Sequence, residues 1–228
     1  MAFVFATFAA LLSVYAVRHG GWAWAALWPA TSFAIVAVAY AGAGPRLIGK
    51  RPDGRLAAWA VALHLPFLLL TVTVWHLVVV LRGTRDASLV ADGLWVGRRP
   101  RARDLPAGVV VVADLTSEFA AARGIRGRYE YWSMPTLDGH VPPVDSLVAF
   151  ARRLAAAPGP VYLHCAQGHG RAALVAACTL VARGAATDAD AAIAMVRAVR
   201  PKIRLTPRQV AVMREAGERL AGGMKADA

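Results

Sequence analysis

The chain has 228 residues, 57% of them apolar, and carries a formal charge of +12. Such apolarity and such charge conflict in a single soluble domain, and they reconcile only when the chain is split near Leu81. The basic balance is not that of a nucleic-acid binder, because no aromatic-interleaved basic groove or recognised motif accompanies it.

Residues 1–81 hold almost no acids and contain three apolar segments, at residues 2–17, 22–43 and 56–81. A membrane-spanning helix needs ~20 apolar residues, so the second and third are long enough and the first is marginal. The first segment has no basic residue at its start and no convincing cleavage pattern at its end, which favours a retained helix over a signal peptide. Trp22, Trp24 and Trp28 cluster at one end of the second segment, as interfacial aromatics do. His64 and His76 lie in the third, ~18 Å apart along a helix, too far to share one site on it. They are expected to be neutral, hydrogen-bonded packing residues, and Pro66 is expected to kink the helix.

Two basic clusters compete for the cytoplasmic side. One is Arg46, Lys50, Arg51 and Arg55. The other is Arg82, Arg85, Arg98, Arg99, Arg101 and Arg103. Both cannot be cytoplasmic if the third segment crosses once; a re-entrant third segment would remove the conflict. A chain with two cysteines that needs a free thiolate belongs in a reducing compartment. The soluble part is therefore expected in the cytoplasm, on a multi-pass protein of the cell inner membrane. Heavy use of Ala and Arg with few lysines hints at a GC-rich bacterial genome.

Residues 82–228 suffice for one compact domain. Strands are predicted at residues 92–96, 108–113, 129–134 and 160–164. Helices are predicted at 143–157, 171–183, 187–199 and 206–220. Thr187 and Thr206 read as N-caps, with Pro207 at a first helical position. The alternation implies an α/β domain with a mainly parallel sheet and helices on both faces. There is no internal repeat, and residues 222–228 are expected to fray.

The richest stretch is His164-Cys165-Ala166-Gln167-Gly168-His169-Gly170-Arg171, a glycine-rich loop between an apolar strand and a helical run. A loop at a helix N-terminus points successive backbone N–H groups inward and forms an anion site. Cys165 would lie at its base, where positive potential favours the thiolate. Arg171 adds a planar fork for two phosphate oxygens. Ala166, Gln167, Gly168, His169 and Gly170 supply the phosphate-binding backbone. A thiolate facing a clamped phosphoryl group means phosphate-ester hydrolysis through a phosphocysteine. Backbone amides and arginine already neutralise the developing charge, so neither metal nor other cofactor is called for.

These residues resemble the signature loop of the cysteine-dependent phosphatases, which reads His-Cys, five residues, then Arg. The resemblance is nearest the compact dual-specificity branch and runs from about Asp92 to Gln209. It implies a general acid on an upstream loop, and Asp138 in Tyr131-Trp132-Ser133-Met134-Pro135-Thr136-Leu137-Asp138 matches that context. Gly139 and Pro142-Pro143 bound the loop, as suits a segment that swings over a pocket. Asp145 is the competitor, but it falls in a first helical turn, where it complements the dipole. His164 is expected to orient the loop by hydrogen bonding. His169 either adds a proton-dependent charge or points to solvent. Ala172 departs from the Ser or Thr of many relatives, a hydroxyl that helps the thiolate leave. Cys178 reads as a small buried apolar residue. The stretch from Arg200 to Gln209 also resembles the family and is expected to pack the last helix beside the loop; the alternative is that Lys202 and Arg204 draw an anionic lipid or protein towards the pocket.

On substrate, the resemblance to the phosphatidylglycerophosphate phosphatase branch points to an anionic phospholipid at the membrane. Each basic residue near an anionic leaflet adds ~1 kcal/mol of attraction. The alternative is a membrane-tethered protein tyrosine or dual-specificity phosphatase acting on a phosphoprotein. A catalytically poor binding module, suggested by Ala172 alone, is the third reading.

Overall fold

The computed structural model describes residues 1–82 and 87–226. Arg85, named above in the second basic cluster, lies outside the described residues, as do the last two residues of the expected frayed end. Internal contacts divide the chain into two units. The first comprises Met1–Gly83 with Ser117–Ala120, and the second Thr84–Thr116 with Ala121–Ala228.

In the first unit, helix α1 (Ala2–His19) ends at Gly20 and Gly21, both at positive φ, where a side chain would be strained. A 3₁₀ turn at Gly21–Ala26 leads into α2 (Leu27–Val38), which relaxes into a π turn at Ala39–Ala43. Helix α3 (Ala58–Arg82) follows. Three helical stretches, Ala2–His19, Gly21–Ala43 and Ala58–Leu81, are long and apolar enough to cross a membrane. Their packing is anchored by Phe5, whose ring lies 6.0 Å from Phe33, 5.6 Å from Tyr40 and 5.6 Å from Phe67. Pro66 sits inside α3, which runs for 25 residues without a break. That continuity removes the support for a re-entrant third segment. His64 is a packing residue, with Nε2 3.0 Å from the Leu47 carbonyl and Nδ1 3.4 Å from Ser32 Oγ. His76 instead is exposed, with Nδ1 2.8 Å from the carbonyl of Val72 one turn back.

The second unit is α/β. Its five strands are β1 (Ala87–Ala91), β2 (Leu94–Gly97), β3 (Val111–Thr116), β4 (Glu130–Thr136) and β5 (Val161–His164). The order is β1-β2-β5-β3-β4, antiparallel between β1 and β2 and parallel elsewhere. Strand β1 is not among the predicted elements, and Asp92, the predicted start of a strand, lies in a turn. Asp92-Gly93 forms a hairpin turn, with Gly93 at φ 65°, and chain on both sides of it pairs. Strand β3 runs past its predicted end because Asp114 is fully bonded where it lies.

Helices α4 (Val144–Ala155), α5 (Arg171–Ala182), α6 (Ala189–Val199) and α7 (Pro207–Ala226) complete the unit. They share one core with Leu94, Val96, Val111, Ala113, Val161 and Leu163. The alternate strand residues Val112 and Tyr162 face a smaller cluster with Val109 and Ile125, packed by Trp95, Ala102 and Leu105. The long helices therefore gather on one face, and turns and irregular chain cover the other. Strand–helix alternation predicts helices on both faces only when connections alternate sides, and here the β3–β4 connection carries no helix. Helix α5 is buried from Arg171 to Val181, on every side, which explains its apolar circumference. Each fully buried Leu or Val contributes ~1.5–3 kcal/mol, so α5 is the central pillar of this unit.

Two helix starts differ in detail. Helix α6 is capped by Asp188, not Thr187: the Asp188 carboxylate accepts from the Ala191 N–H at 2.8 Å, and Thr187 Oγ1 donates to it at 3.1 Å. Those bonds hold the Asp188 carboxyl below its usual range. Helix α7 starts at the predicted cap. Thr206 Oγ1 accepts from the Gln209 N–H at 3.2 Å, and Gln209 Oε1 accepts from the Thr206 N–H at 3.0 Å, a reciprocal capping box.

Candidate active site

Strand β5 is central, flanked on both sides by parallel neighbours, and Cys165 follows directly at its carboxyl end. Residues 165–170 connect it to the N-terminus of α5, where Arg171 is the first helical residue. This is the place where open α/β sheets bind ligands.

The loop is shaped by what holds its carbonyls. The Ala166 carbonyl accepts from the Arg99 N–H at 3.2 Å, and the His169 carbonyl accepts from the Arg204 N–H at 3.1 Å. Between them the Arg200 guanidinium donates to the Gln167 carbonyl at 3.5 Å and to the Gly168 carbonyl at 3.1 Å. A trans peptide sets its N–H opposite its C=O. Four successive carbonyls engaged from outside thus turn the N–H groups of residues 167–170 to the other side, the geometry of an anion nest. The Gly168 N–H donates to Cys165 Sγ at 3.2 Å. Gly168 has φ 72°, and a Cβ there would lie 2.4 Å from the Gly97 carbonyl oxygen and 2.9 Å from Arg200 Nη2. Only glycine fits.

Cys165 is 3% exposed and Arg171 2%. Arg171 Nη1 donates to the Thr136 carbonyl at 2.7 Å, which fixes the fork against the end of β4. Its Nη2 lies 3.2 Å from Asp138 Oδ1. The Asp138 side chain is 64% exposed and sits on a turn, in which the His140 N–H donates to the Leu137 carbonyl and Gly139 takes φ 74°. Gln209 Nε2 donates to the His140 carbonyl at 3.3 Å, so the cap of α7 also supports the Asp138 turn. The loop, Arg171 and Asp138 thus converge. Asp145 does not join them: its carboxylate pairs with Arg219 at 2.6 Å.

Beneath the loop, His164 Nδ1 is 3.3 Å from the Cys165 carbonyl and 3.8 Å from Asp114 Oδ1. Asp114 is buried and fully engaged. Its Oδ1 accepts from the Thr116 N–H and Oγ1, both at 2.7 Å, and its Oδ2 from the Tyr131 hydroxyl at 2.7 Å. Burial, and then the Asp114 charge, push the Tyr131 hydroxyl well above its ordinary range, so it stays a donor. Ala172 packs wholly in the core. Burial pushes the Cys178 thiol up to about 12, as suits an inert core residue, and both cysteines are free. Asp114 and Arg200 are parts of the site to which the sequence assigns no role of their own. Asp114 closes an apolar run, and Arg200 precedes Pro201 at the end of a helix. Neither position marks itself as lying below a loop more than thirty residues away.

No family model matches the chain, and no curated protein matches it. Solved structures do. PTPMT1, in complex with PI(5)P, aligns with a TM-score of 0.53 at 21% identity, covering 61% of this chain and 99% of that one. A mouse dual specificity phosphatase complexed with zinc tungstate gives 0.51 at 18%, covering 62% and 92%. Human DUSP28 gives 0.51 at 19%, covering 60% and 96%. The chain has the fold of the dual-specificity phosphatases, preceded by apolar helices.

Proposed function

We propose that the protein is a membrane-anchored cysteine-dependent phosphatase that hydrolyses phosphomonoesters. The observation that carries this reading is the convergence of a thiol, a nest of inward N–H groups, a buried arginine fork and an overhanging carboxyl. In this reading the Arg171 fork and the backbone of residues 166–171 bind the phosphate, which comes to lie beside Asp138. Cys165 Sγ attacks phosphorus in line and the ester P–O bond breaks, while Asp138 gives its proton to the leaving oxygen. Water then attacks the phosphocysteine, Asp138 takes the proton from that water, and the S–P bond breaks to restore the thiolate. The inward N–H groups and Arg171 stabilise the charge that builds on the equatorial oxygens.

For the substrate we favour a phospholipid head group, such as that of phosphatidylglycerophosphate. Three apolar helices exceed what a tether requires, and the loop carries Ala166, Gln167 and His169 where a specialist for highly charged inositol lipids would carry lysines. Confining enzyme and substrate to one thin layer raises their effective concentration. PTPMT1, one of the fold neighbours, is known in complex with PI(5)P. The rival is a tethered protein phosphatase, which the neighbouring dual-specificity phosphatases favour. We place the catalytic part in the cytoplasm, where a free thiol survives.

The test is a paired assay on detergent-purified full-length protein: phosphate release from phosphatidylglycerophosphate in mixed micelles against release from a phosphotyrosine peptide. Cys165→Ser is the blank, expected to bind phosphate ligand without turnover. A large excess of lipid turnover supports the lipid reading. Preference for the peptide makes the helices a tether. Activity on neither, with none on an aryl phosphate or other phosphomonoesters, sinks the phosphatase reading.

A further inference from the structure

Arg200 follows the last residue of α6 and is 5% exposed, yet among the described residues its hydrogen-bond partners are carbonyls and a hydroxyl, not a carboxylate. Its Nη1 donates to the Val96 carbonyl at 3.1 Å and to Ser88 Oγ at 3.2 Å, its Nε to the Gly168 carbonyl at 3.1 Å, and its Nη2 to the Gln167 carbonyl at 3.5 Å. The two strand contacts fix the guanidinium to the sheet, and the other two hold consecutive peptides of the loop. The Gln167–Gly168 peptide is decisive. Its carbonyl faces Arg200 and its N–H faces Cys165 Sγ, so cation, peptide dipole and sulfur lie in series.

A buried cation is costly unless an opposite charge or several acceptors compensate it. Burial does pull the Arg200 guanidinium down from its ordinary range, and the anionic forms of Tyr162 and Cys165 oppose that pull. Arginine nevertheless stays charged. Among the described residues, the other titratable or charged groups on the elements that meet the loop include His164 and Tyr162 of β5, Asp114 of β3, Arg171 of α5, His169 in the loop, Asp138, and Arg99 and Arg204, whose N–H groups hold loop carbonyls. Arg171 is committed to the substrate side by its contacts with Thr136 and Asp138. Arg200 approaches from the opposite, sheet-anchored side.

We propose that Arg200 is the positioning residue of the phosphate cradle: it aims the peptide N–H groups of residues 168 and 169 inward and sets a buried positive charge behind the peptide whose N–H meets Cys165 Sγ. Lysine in its place supplies the charge but not the fork that spans two carbonyls. The inference rests on the phosphatase reading for its meaning, but its test does not use turnover.

The experiment is carried out on the full-length protein in detergent, with Arg200→Met and Arg200→Lys. It measures three quantities: the melting temperature, the rate of Cys165 alkylation by iodoacetamide at neutral pH, and the protection of Cys165 by inorganic phosphate. Burial in the core pushes the Cys178 thiol up to about 12, and Cys165→Ser measured in parallel gives its background. Arg200→Met is expected to alkylate about ten-fold more slowly than wild type, because the thiolate loses its buried counter-charge. Arg200→Lys is expected to recover most of that rate while phosphate protection stays about ten-fold weaker, because the carbonyls are no longer held as a pair. A folded Arg200→Met protein that alkylates and is protected within about two-fold of wild type overturns the proposal. So does the failure of both variants to fold, which would make Arg200 a structural residue only. Wild type that is inert to every phosphomonoester but shows the expected alkylation pattern would reject the phosphatase reading and leave the cradle assignment standing.

Discussion

At the residue scale, the proposed reaction gives binding and proton transfer to different residues. Arg171 is held rigidly by a backbone carbonyl and by burial, whereas Asp138 stands largely exposed on a glycine-bounded turn. A rigid fork suits a group that must meet a phosphate in one orientation, and an exposed carboxyl suits one that gives and takes a proton in turn. Asp138→Ala is therefore expected to slow hydrolysis of an alkyl phosphate by about 10²–10⁴-fold. An aryl phosphate, whose leaving group needs little protonation, should lose far less. Initial rates on the two substrates decide the matter, and equal losses would remove Asp138 from the acid role. His164 has no such freedom. It is wedged between the Cys165 carbonyl and the Asp114 carboxylate, in keeping with an orienting part.

At the scale of elements, the cap of α7 has two duties. Gln209 closes the capping box with Thr206 through its backbone N–H and Oε1, and its side-chain Nε2 donates to the His140 carbonyl in the Asp138 turn. Helix stability and acid-loop position are therefore joined through one side chain. Thr206→Ala removes the hydroxyl acceptor and should lower stability by about 1 kcal/mol, read from the denaturant midpoint. Gln209 lies in the same box, so catalysis of an alkyl phosphate should fall as well, while Cys165 alkylation is unchanged. Unchanged stability would mean that packing of α7, not its cap, fixes its start. The capping pattern Thr206-Pro207-Arg208-Gln209 is legible in sequence because it is local; the reach of Gln209 to His140 is not, since 69 residues intervene.

At the scale of the whole molecule, charge and apolarity are divided between two units, and each reading of the function needs both. The proposed cytoplasmic placement of the catalytic part has a direct test. Glu218, exposed on α7, is replaced by cysteine, and intact cells are treated with a membrane-impermeant maleimide. Labelling at residue 218 is expected only after permeabilisation. Labelling of intact cells would put the catalytic part outside and make the loop with Arg46, Lys50, Arg51 and Arg55 the cytoplasmic one. The continuous α3 sharpens the choice, because a helix that crosses once leaves the two basic clusters on opposite sides.

What the chain determined by itself was whatever depends on near neighbours: three apolar segments, the strand and helix on either side of Cys165, the glycine-bounded turn at Asp138, and the cap at Thr206 with Pro207 opening the helix. Periodicity, side-chain size and turn chemistry act over a few residues, so they can be read along the line. The tertiary structure decided the rest. It paired residues 87–91 with 94–97 across a two-residue turn, gathered the helices on one face, and set Asp114 under His164 and Arg200 under Gly168. A buried charge has no local signature. Its partners are chosen by the packing that encloses it, and here they come from strands and loops far apart in the chain.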